Sequence, residues 1–443
     1  MKGDEGVDKF FKISERGSSV SNEIIGGLTT FLAMAYIVAV NPGILEAAGI
    51  PFTAGLTATC IGAAIMCAVM GLVANRPIAL ASGMGINAIV AFSFCGGYGL
   101  DWRVSMSIVL IEGVVILLLV MLGLRKAIMD AIPAGIRRAI GIGIGLFIAF
   151  IGLKGAGIII PDGSTYISMG DLSSPVCLVA LFSLVVAIVL QVMNVRGALF
   201  ISIIAAVILG IPLGVTVVPT EWSFSFDFST FAAPLQTVEG GTMAIIEAIT
   251  MPLVIPLAFS LLMSDFFDTM GTVTAVAQQA EFLDEDDNVE DIQPILAVDS
   301  LAAVVGGFLG ASSITSYVES TSGAAEGART GLSNLVVAFL FLVCAFLAPL
   351  FGMVSSSATC GALVVVGYLM MTDIGEIEWN QPEIAFPAFI IITCIPFTYS
   401  ITNGIGLGFI AYGLVMIATG RIKEIKPLMW VSIAAFLAMF LLL

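Results

Sequence analysis

Residues 79–87 read Ala-Leu-Ala-Ser-Gly-Met-Gly-Ile-Asn, and this small, partly polar stretch opens a segment that is otherwise apolar enough to lie in a membrane. A matching stretch, Ser-Ser-Ile-Thr-Ser-Tyr-Val-Glu-Ser at residues 312–320, opens an apolar region much further along the chain. Non-helical backbone at membrane depth is stable only where protein buries it or where it lines a cavity. Paired broken spans at matching positions therefore predict an inverted repeat and a binding site between its halves.

The composition places the chain in a lipid bilayer. Of its 443 residues 59% are hydrophobic and 11% are charged, whereas soluble globular domains carry roughly 25% charged residues. Apolar runs recur at about the 20 residues that a helix needs to cross a membrane. Runs such as residues 109–123 do not alternate in polarity, which argues against a membrane β-barrel. The sequence predicts an all-α polytopic membrane protein.

We expect about 14 membrane helices in a 7+7 inverted repeat, with spans 3 and 10 broken, because an odd number per half reverses the orientation of the second half. Whether the apolar tail crosses the membrane is left open. The expected divisions are an N-terminal segment at 1–21, a first repeat at 22–218, a connection at 219–244, a second repeat at 245–419, and a basic turn with a short apolar tail at 420–443.

The basic residues predict the orientation. Of the 16 Lys and Arg residues, only Arg103 and Lys154 fall outside the cell when the N-terminus is placed in the cytoplasm. This bias fits the positive-inside rule, so we expect a multi-pass protein of the cell membrane with a cytoplasmic N-terminus. Much of the net charge of −16 comes from a loop at 281–291. We interpret that loop as a solvated acidic segment, and we expect the lipid bilayer and no nucleic acid among the partners.

Three acids in apolar surroundings are the strongest functional signal. Asp265 and Asp268 lie one helical turn apart in a stretch with no Lys or Arg, and Glu319 lies in the second broken stretch. Ionisable groups at this depth cost several kcal/mol unless they face a wet cavity or a partner. Because the chain has no histidine, we expect these three acids to carry proton coupling, with Asp268 and Glu319 also contacting substrate. The alternative is that the aspartate pair only bonds neighbouring helix ends.

Four further residues complete the expected substrate site. Asn87 offers both a donor and an acceptor, and Gly85 lets main-chain amides approach a ligand closely. Phe267 and Tyr317 offer aromatic faces to a flat ligand, although each alone is more often ordinary packing. Glu112, another acid inside a span, is given no role.

Two other patterns predict packing rather than chemistry. The seven cysteines occur singly in apolar segments, without a C-x-x-C pair, and we expect neither disulfides nor a metal site. The spaced glycines at 141–145 resemble a nucleotide motif, but inside an apolar span they favour close helix packing.

The motifs now described resemble one family. They are Asp-x-x-Asp-Thr-x-Gly-Thr at 265–272, Thr-Ser-Tyr-Val-Glu-Ser at 315–320 with Gly-Ala-Arg-Thr-Gly at 327–331, Gly-Met-Gly-Ile-Asn at 83–87, Thr-Thr-Phe-Leu-Ala-Met-Ala-Tyr-Ile-Val-x-x-Asn-Pro at 29–42, and Pro-Phe-Thr-Tyr-Ser-Ile-Thr-Asn-Gly-Ile-x-x-Gly-Phe at 396–409. Together they are similar to the AzgA-like, guanine/hypoxanthine branch of the xanthine/uracil permease superfamily (nucleobase:cation symporter 2).

This resemblance implies a purine:proton symporter for hypoxanthine and guanine, or for adenine in some members. It implies a core domain that moves against a gate domain in alternating access, with no cofactor and H+ as the coupling ion. Substrate contacts would fall on Asp268 and Glu319, supported by Asp265, Asn87 and Gly85. A histidine that assists proton transfer elsewhere in the superfamily has no counterpart in this chain.

Several alternatives stay open at this point. An anion or sulfate-type carrier would share the fold, but acids at the site argue against an anionic substrate. An intramembrane aspartyl protease would use Asp265 and Asp268, yet such enzymes place their acids on different helices, so we expect no enzyme. Sodium in place of H+, the preferred purine and a homodimeric assembly are further points that the sequence does not decide.

Overall fold

The structure is a computed structural model that describes residues 2–123, 132–218, 226–283 and 289–442; within these ranges the side chains of residues 2–5, 267 and 442 are not described. The helices of the first half are α1 Lys2–Phe11, α2 Val20–Met34, α3 Ile37–Glu46, α4 Phe52–Val69, α5 Met84–Ala88, α6 Trp102–Met121, α7 Ala134–Gly155, α8 Pro175–Val192 and α9 Ala198–Gly210. Short strands accompany them, namely β1 Leu80–Ser82, β2 Ile159–Asp162 and β3 Tyr166–Met169.

The second half repeats this order with one strand. Its helices are α10 Ala244–Thr250, α11 Val254–Gln279, α12 Ile292–Leu309, α13 Ser320–Ala325, α14 Leu332–Phe346, α15 Ala348–Phe351, α16 Ser356–Met370, α17 Pro382–Phe397, α18 Ile401–Ala418 and α19 Pro427–Leu442. Strand β4 is Ile314–Ser316.

Nine helical stretches in the described ranges are long and apolar enough to cross a membrane. They are Val20–Glu46, Phe52–Ala74, Trp102–Met121, Ala134–Gly155, Pro175–Val192, Val254–Gln279, Ile292–Leu309, Ser356–Glu376 and Ile401–Ala418. Shorter apolar helices occupy the other predicted positions. The all-α polytopic class is confirmed, while the total of about 14 spans stays a prediction.

Local sequence explains where several helices begin. Side-chain oxygens of Ser or Asp accept a backbone N–H in the first turn and so satisfy a donor that has no partner inside the helix. These caps are Ser19 on α2, Asp101 on α6, Ser174 on α8, Ser355 on α16 and Ser400 on α18. Proline in the first turn of α8 and α17 adds a preset backbone angle.

The two broken spans meet in the middle of the molecule as an antiparallel pair of strands. Leu80 pairs with Ser316, and Ser82 pairs with Ile314. Main-chain bonds continue the ladder at both ends, from Gly83 N to Ser313 O and from Tyr317 N to Ala79 O, each 2.9 Å long. Each extended segment therefore satisfies the backbone groups that the other turns toward it, while side chains such as that of Asp299 satisfy groups on the outer edges. We call this pair the strand crossing, and it confirms the predicted breaks in spans 3 and 10.

The structure differs from the predicted spans in two places. The apolar stretch that opens the second repeat is divided into α10 and α11. Pro252 follows Met251 and disfavours helical angles there, and Met251 is extended, at φ −72° and ψ 128°. A hairpin of β2 and β3 also lies between α7 and α8, whereas the sequence predicted only helices. The tail at 427–442 is a helix packed on α18 and α11.

The helices pack as two groups. One group contains α2 to α6 and α11 to α14, with α6 against α12 and α4 against α14; the other contains α7 to α9 and α16 to α18. Glycines allow close approach within each group. A Cβ atom at Gly145 would lie 2.8 Å from the carbonyl oxygen of Gly367, and one at Gly307 would lie 2.8 Å from the main-chain nitrogen of Leu110. The packing interpretation of the spaced glycines is confirmed at Gly143 and Gly145, but not at Gly141, which has open space.

A cluster of opposite charges marks one end of the molecule. The guanidinium of Arg76 donates to Glu290 at 3.2 Å and Asp291 at 3.3 Å, and that of Arg329 donates to Glu281 at 3.3 Å. We call these five residues the charged end. Four acids of the predicted acidic loop, at 284–287, lie outside the described residues, so the structure does not test their expected exposure.

Replacing Gly307 with alanine should lower the free energy of unfolding by about 1–3 kcal/mol, because the added methyl group overpacks the contact between α12 and α6. Gly141→Ala is the matched control: its Cβ meets nothing within 4 Å, and alanine is favoured over glycine in a helix by about 1 kcal/mol. Melting temperatures in detergent test the pair. Equal melting temperatures for the two variants would contradict the close contact at Gly307.

Candidate functional site

Helix α11 passes beside the strand crossing and presents one polar face to it. Ser313 Oγ donates to the carboxylate of Asp265 at 3.4 Å, and the hydroxyls of Thr269 and Thr315 lie 2.9 Å apart. Asp265 is only 1% exposed. These contacts fix α11 against β4, and they place Asp265 inside the protein rather than in open space.

Asp299 on α12 is the residue that the sequence analysis missed. Its carboxylate accepts from the main-chain N–H of Ser316 at 2.8 Å, from the Ser316 hydroxyl at 2.7 Å and from the Thr269 hydroxyl at 2.6 Å. It thereby joins α12, β4 and α11 in one hydrogen-bonded unit. The signal was available, because Asp299 is an acid inside a predicted span and the depth argument applies to it as well.

Asp268 and Glu319 have different surroundings from Asp265. Asp268 is exposed and Glu319 is half-buried, although Asp268 lies near enough to Asp299 and Glu319 to interact with them electrostatically. We infer from this exposure, next to two other acids, that the Asp268 side chain lies in a recess of the protein. Tyr36 Oη donates to Glu319 at 2.6 Å and fixes the orientation of that carboxylate.

The recess continues along α11 toward the charged end. Gly271, Thr274 and Gln278 are exposed, like Asp268, and residues three or four apart share one helix face. Residues 260–266, which precede Asp268, are all buried. The acid site is therefore accessible from the end of the molecule where loop 281–291 lies.

The other end of the site is closed by aromatic side chains. Tyr399 forms edge contacts with Phe92, Phe147 and Phe150 at centroid distances of 5.4, 5.1 and 6.0 Å. The ammonium of Lys154 lies 4.2 Å from the centre of the Tyr399 ring. Tyr399 has a φ of 53°, which is uncommon for a bulky residue and indicates a backbone held by its surroundings. We call these five residues the aromatic closure.

Polar contacts join the same surfaces. Ile401 N donates to Ser93 Oγ at 3.3 Å, and Tyr98 Oη donates to Asn403 Oδ1 at 3.1 Å. A third contact joins the hydroxyls of Ser260 and Thr402 at 3.1 Å. All three connect the first helix group, at residues 93–98 and α11, to the start of α18 in the second group.

Gly85, Tyr317 and Phe267 are the next predicted site residues. Gly85 is half-buried, and a Cβ there would lie 3.1 Å from Ile144 and 3.7 Å from the Ser264 hydroxyl, so it is wedged between α7 and α11. Tyr317 is buried, and its hydroxyl donates to the carbonyl of Ser82 at 2.5 Å. Phe267 belongs to α11, but its side chain lies outside the described part of the structure.

Asn87 differs from the other predicted contacts because it is fully buried. Its Nδ2 donates to Asn41 Oδ1 at 2.5 Å, and Asn41 in turn donates to Thr59 Oγ1 at 2.8 Å. The structure thus places Asn87 in a polar chain between α5, α3 and α4, and does not bring its side chain to the open side of Asp268.

The charges at the site are one-sided. Helices α11 and α12 contain Asp265, Asp268 and Asp299, and Glu319 directly precedes α13. None of these helices, nor α5 or β4, contains Lys or Arg. An exposed carboxylate can accept hydrogen bonds from the N–H groups of a neutral ligand, whereas an anion would be repelled. Asp265 and Asp268 also lie on one helix with different surroundings, unlike the facing acids of a protease pair.

Relatives with known names match nearly the whole chain. The guanine/hypoxanthine permease PbuG of Bacillus subtilis is 41% identical, over 98% of this chain and 99% of its own length. The adenine permease AdeP of Escherichia coli is 38% identical, over 95% of this chain and 93% of its own length.

A solved structure supports the fold. The transmembrane domain of the cyanobacterial bicarbonate transporter BicA superposes with a TM-score of 0.63 at 15% sequence identity, covering 87% of this chain and 97% of that domain. At this identity the likeness concerns the fold alone, and it confirms the 7+7 class.

A family model confirms the resemblance found in the sequence motifs. The model Xan_ur_permease, described as a permease family, matches residues 21–407. Members of this family are transporters, which confirms the expectation that the chain is not an enzyme. The chain belongs to the Xan_ur_permease family of permeases.

Proposed function

We propose that this permease carries purine nucleobases into the cell, coupled to protons, by alternating access. The observation that carries the proposal is the position of Asp268 and Glu319, two neighbouring acids on the open side of the strand crossing. The names of the relatives support the substrate class, since one is a guanine/hypoxanthine permease and another an adenine permease.

Purine bases suit a site of this kind. Guanine and hypoxanthine present an N1–H donor, and guanine adds an amino group beside it, so a carboxylate can accept from that edge of the ring. Asp268 is free to do so, and Glu319 is held in one orientation by the Tyr36 hydroxyl at 2.6 Å. Leaving a buried polar group of either partner unpaired costs about 1–3 kcal/mol, which favours a base with matching donors.

The other predicted contacts have graded roles in this proposal. Gly85 keeps the main chain of α5 close to α11, and Tyr317 ties the end of β1 to β4 through Ser82. Asn87 stabilises α5 through its hydrogen bond to Asn41. Phe267 is retained as an aromatic face for the base on its position next to Asp268.

Alternating access is supported by the difference between the two ends of the site. The recess beside Asp268 continues to the charged end, while the aromatic closure and three polar contacts seal the opposite end. In the proposed cycle the first helix group moves against the second, and the aromatic rings of the closure move apart. A purine then enters the site from outside the cell. With the N-terminus in the cytoplasm of a cell-membrane protein, the conformation described here faces inward.

Protons are the proposed coupling ion, and no cofactor is invoked. The site holds acids without a neighbouring Lys or Arg. Protonation of an acid removes one negative charge that would otherwise repel the other acids, before the purine binds. Sodium is the competing ion, and a homodimer is compatible with the proposal but not required by it. Replacing sodium in the assay medium and adding a protonophore separate the two ions.

Asp268→Asn should abolish accumulation of labelled hypoxanthine in cells that lack their own purine carriers, because the amide cannot replace the carboxylate as a pure acceptor or carry a proton. Competition by guanine, adenine, uracil and bicarbonate defines the substrate class, with and without a protonophore. Asp373→Asn, at an exposed turn, is the matched control and should retain wild-type uptake. Normal accumulation by the Asp268 variant would refute the assignment.

Tyr36→Phe should weaken base binding about tenfold without preventing transport, because a hydrogen bond to a charged group is worth about 1.5–3 kcal/mol and part of its loss is recovered by solvent. Binding to purified protein, measured by calorimetry, tests this expectation. Tyr368→Phe is the control, since Tyr368 is 64% exposed. An unchanged affinity in the Tyr36 variant would show that this hydroxyl does not position Glu319 for substrate.

A reducible cross-link between cysteines at positions 92 and 399 should stop transport while leaving the site accessible from the charged end. The rings of Phe92 and Tyr399 are 5.4 Å apart, and the proposed cycle requires them to separate. The experiment uses a background without the seven natural cysteines, and inside-out vesicles report binding. Transport at the uncross-linked rate with the link in place would contradict alternating access at this closure.

A further inference from the structure

Glu112 is a buried acid that the proposed mechanism does not yet use. It is the eleventh residue of the 20-residue helix α6 and is 0% exposed. Neither of its carboxyl oxygens has a hydrogen-bond partner in the described part of the structure. Buried polar groups are nearly always hydrogen-bonded, and an exception calls for a physical reason.

Close packing encloses the Glu112 carboxyl group within the protein. A Cβ at the next residue, Gly113, would lie 2.7 Å from the main-chain nitrogen of Val304, so α6 and α12 are in direct backbone contact at this level. Glu112 is also about three helical turns from either end of α6. A glutamate side chain cannot extend over that distance, so the carboxyl group stays inside.

The charged groups that act on Glu112 are acids on α11 and α12, two of the helices packed against α6. Asp265 on α11 and Asp299 on α12 are close enough to interact with it electrostatically. Both belong to the strand crossing, through the bond from Ser313 to Asp265 and the bonds from Ser316 to Asp299. Helix α6 contains Arg103, but that residue lies at its first turn and pairs with Asp101.

Acids that influence one another electrostatically therefore extend inward from Asp268. Asp268 on the open side interacts with Asp299 and Glu319, and Asp299 interacts with Glu112. The hydroxyl of Thr269, one residue after Asp268, bonds to Asp299 at 2.6 Å. A charged carboxylate at Glu112 would have neither donor nor cation beside it, whereas a neutral carboxyl group fits these surroundings.

We infer that Glu112 is the proton-holding group of this permease, and that it exchanges its proton with the Asp265 and Asp299 carboxylates when the helix groups move. The inference rests on the proposed proton-coupled transport and adds to it the place where the proton resides. When the proton leaves the Glu112 carboxyl oxygen it binds to a carboxylate oxygen of one of these aspartates, so the cluster keeps its net charge until the proton reaches Asp268 and the recess.

The test compares the wild-type protein with Glu112→Gln in proteoliposomes. Glutamine has the shape of the protonated acid but cannot release a proton. We expect exchange of labelled hypoxanthine against unlabelled hypoxanthine to stay within twofold of wild type. Accumulation driven by a pH gradient should fall at least tenfold, and the pH dependence of uptake should flatten. Proton flux, followed with an internal pH dye, should no longer accompany uptake.

Glu46→Gln, at an exposed position at the end of α3, is the matched control and should behave as wild type. Glu112→Asp is a second variant, which keeps a titratable carboxyl group on a shorter side chain. The pH dependence of its hypoxanthine uptake should shift, while accumulation persists. Wild-type gradient-driven accumulation by Glu112→Gln overturns the inference. If that variant does not fold, an unshifted pH profile for Glu112→Asp overturns it instead.

The failure of this inference differs from the failure of the proposed function. If the wild-type protein itself shows no proton flux with hypoxanthine, the proposed coupling is wrong and Glu112 loses its role with it. If the wild type is coupled and Glu112→Gln is equally coupled, only the inference about Glu112 fails. Asp268→Asn separates the roles further, because it should lose exchange as well as accumulation.

Discussion

Backbone hydrogen bonding inside the bilayer is the constraint on which the rest of the structure depends. Extended segments cannot exist there unless another segment satisfies their N–H and C=O groups. Here the two broken spans do this for each other, through the register Leu80 to Ser316 and Ser82 to Ile314. Because of this pairing, short helices can begin in the middle of the molecule, and polar side chains next to them reach a recess rather than lipid. The acid site is a consequence of that arrangement.

The second constraint on the site is that its acids have no Lys or Arg beside them. Asp299 shows how one of them is accommodated, since three donors from β4 and α11 satisfy its carboxylate. Glu319 has the Tyr36 hydroxyl, while Glu112 has no donor among the described residues. The same chemical group thus occurs in three environments that differ in how well they tolerate negative charge. The proposed proton transfer would use these differences between the three environments.

The sequence predicted the class of fold and the main acids because those inferences depend on local properties. Hydrophobic run length fixed the membrane class, and depth in an apolar run identified Asp265, Asp268 and Glu319. The same depth argument would have found Asp299, had it been applied to every span. Three other features depend on contacts that one-dimensional patterns do not contain. Tyr36 and Glu319 form a hydrogen bond although they are 283 residues apart. Asn87 is hydrogen-bonded in a buried polar chain. The break at Pro252 interrupts an apolar run that looks continuous in the sequence.

The strand crossing also has a consequence for how the protein is made. Residues 80–82 leave the ribosome long before residues 314–316, so the first broken span enters the membrane without the segment that completes its hydrogen bonds. Until the second half arrives, its extended backbone has to be shielded by the insertion machinery or adopt another conformation. Assembly of the two halves therefore has to come late in synthesis, since a first half alone would leave the paired backbone groups of its broken span without their partners.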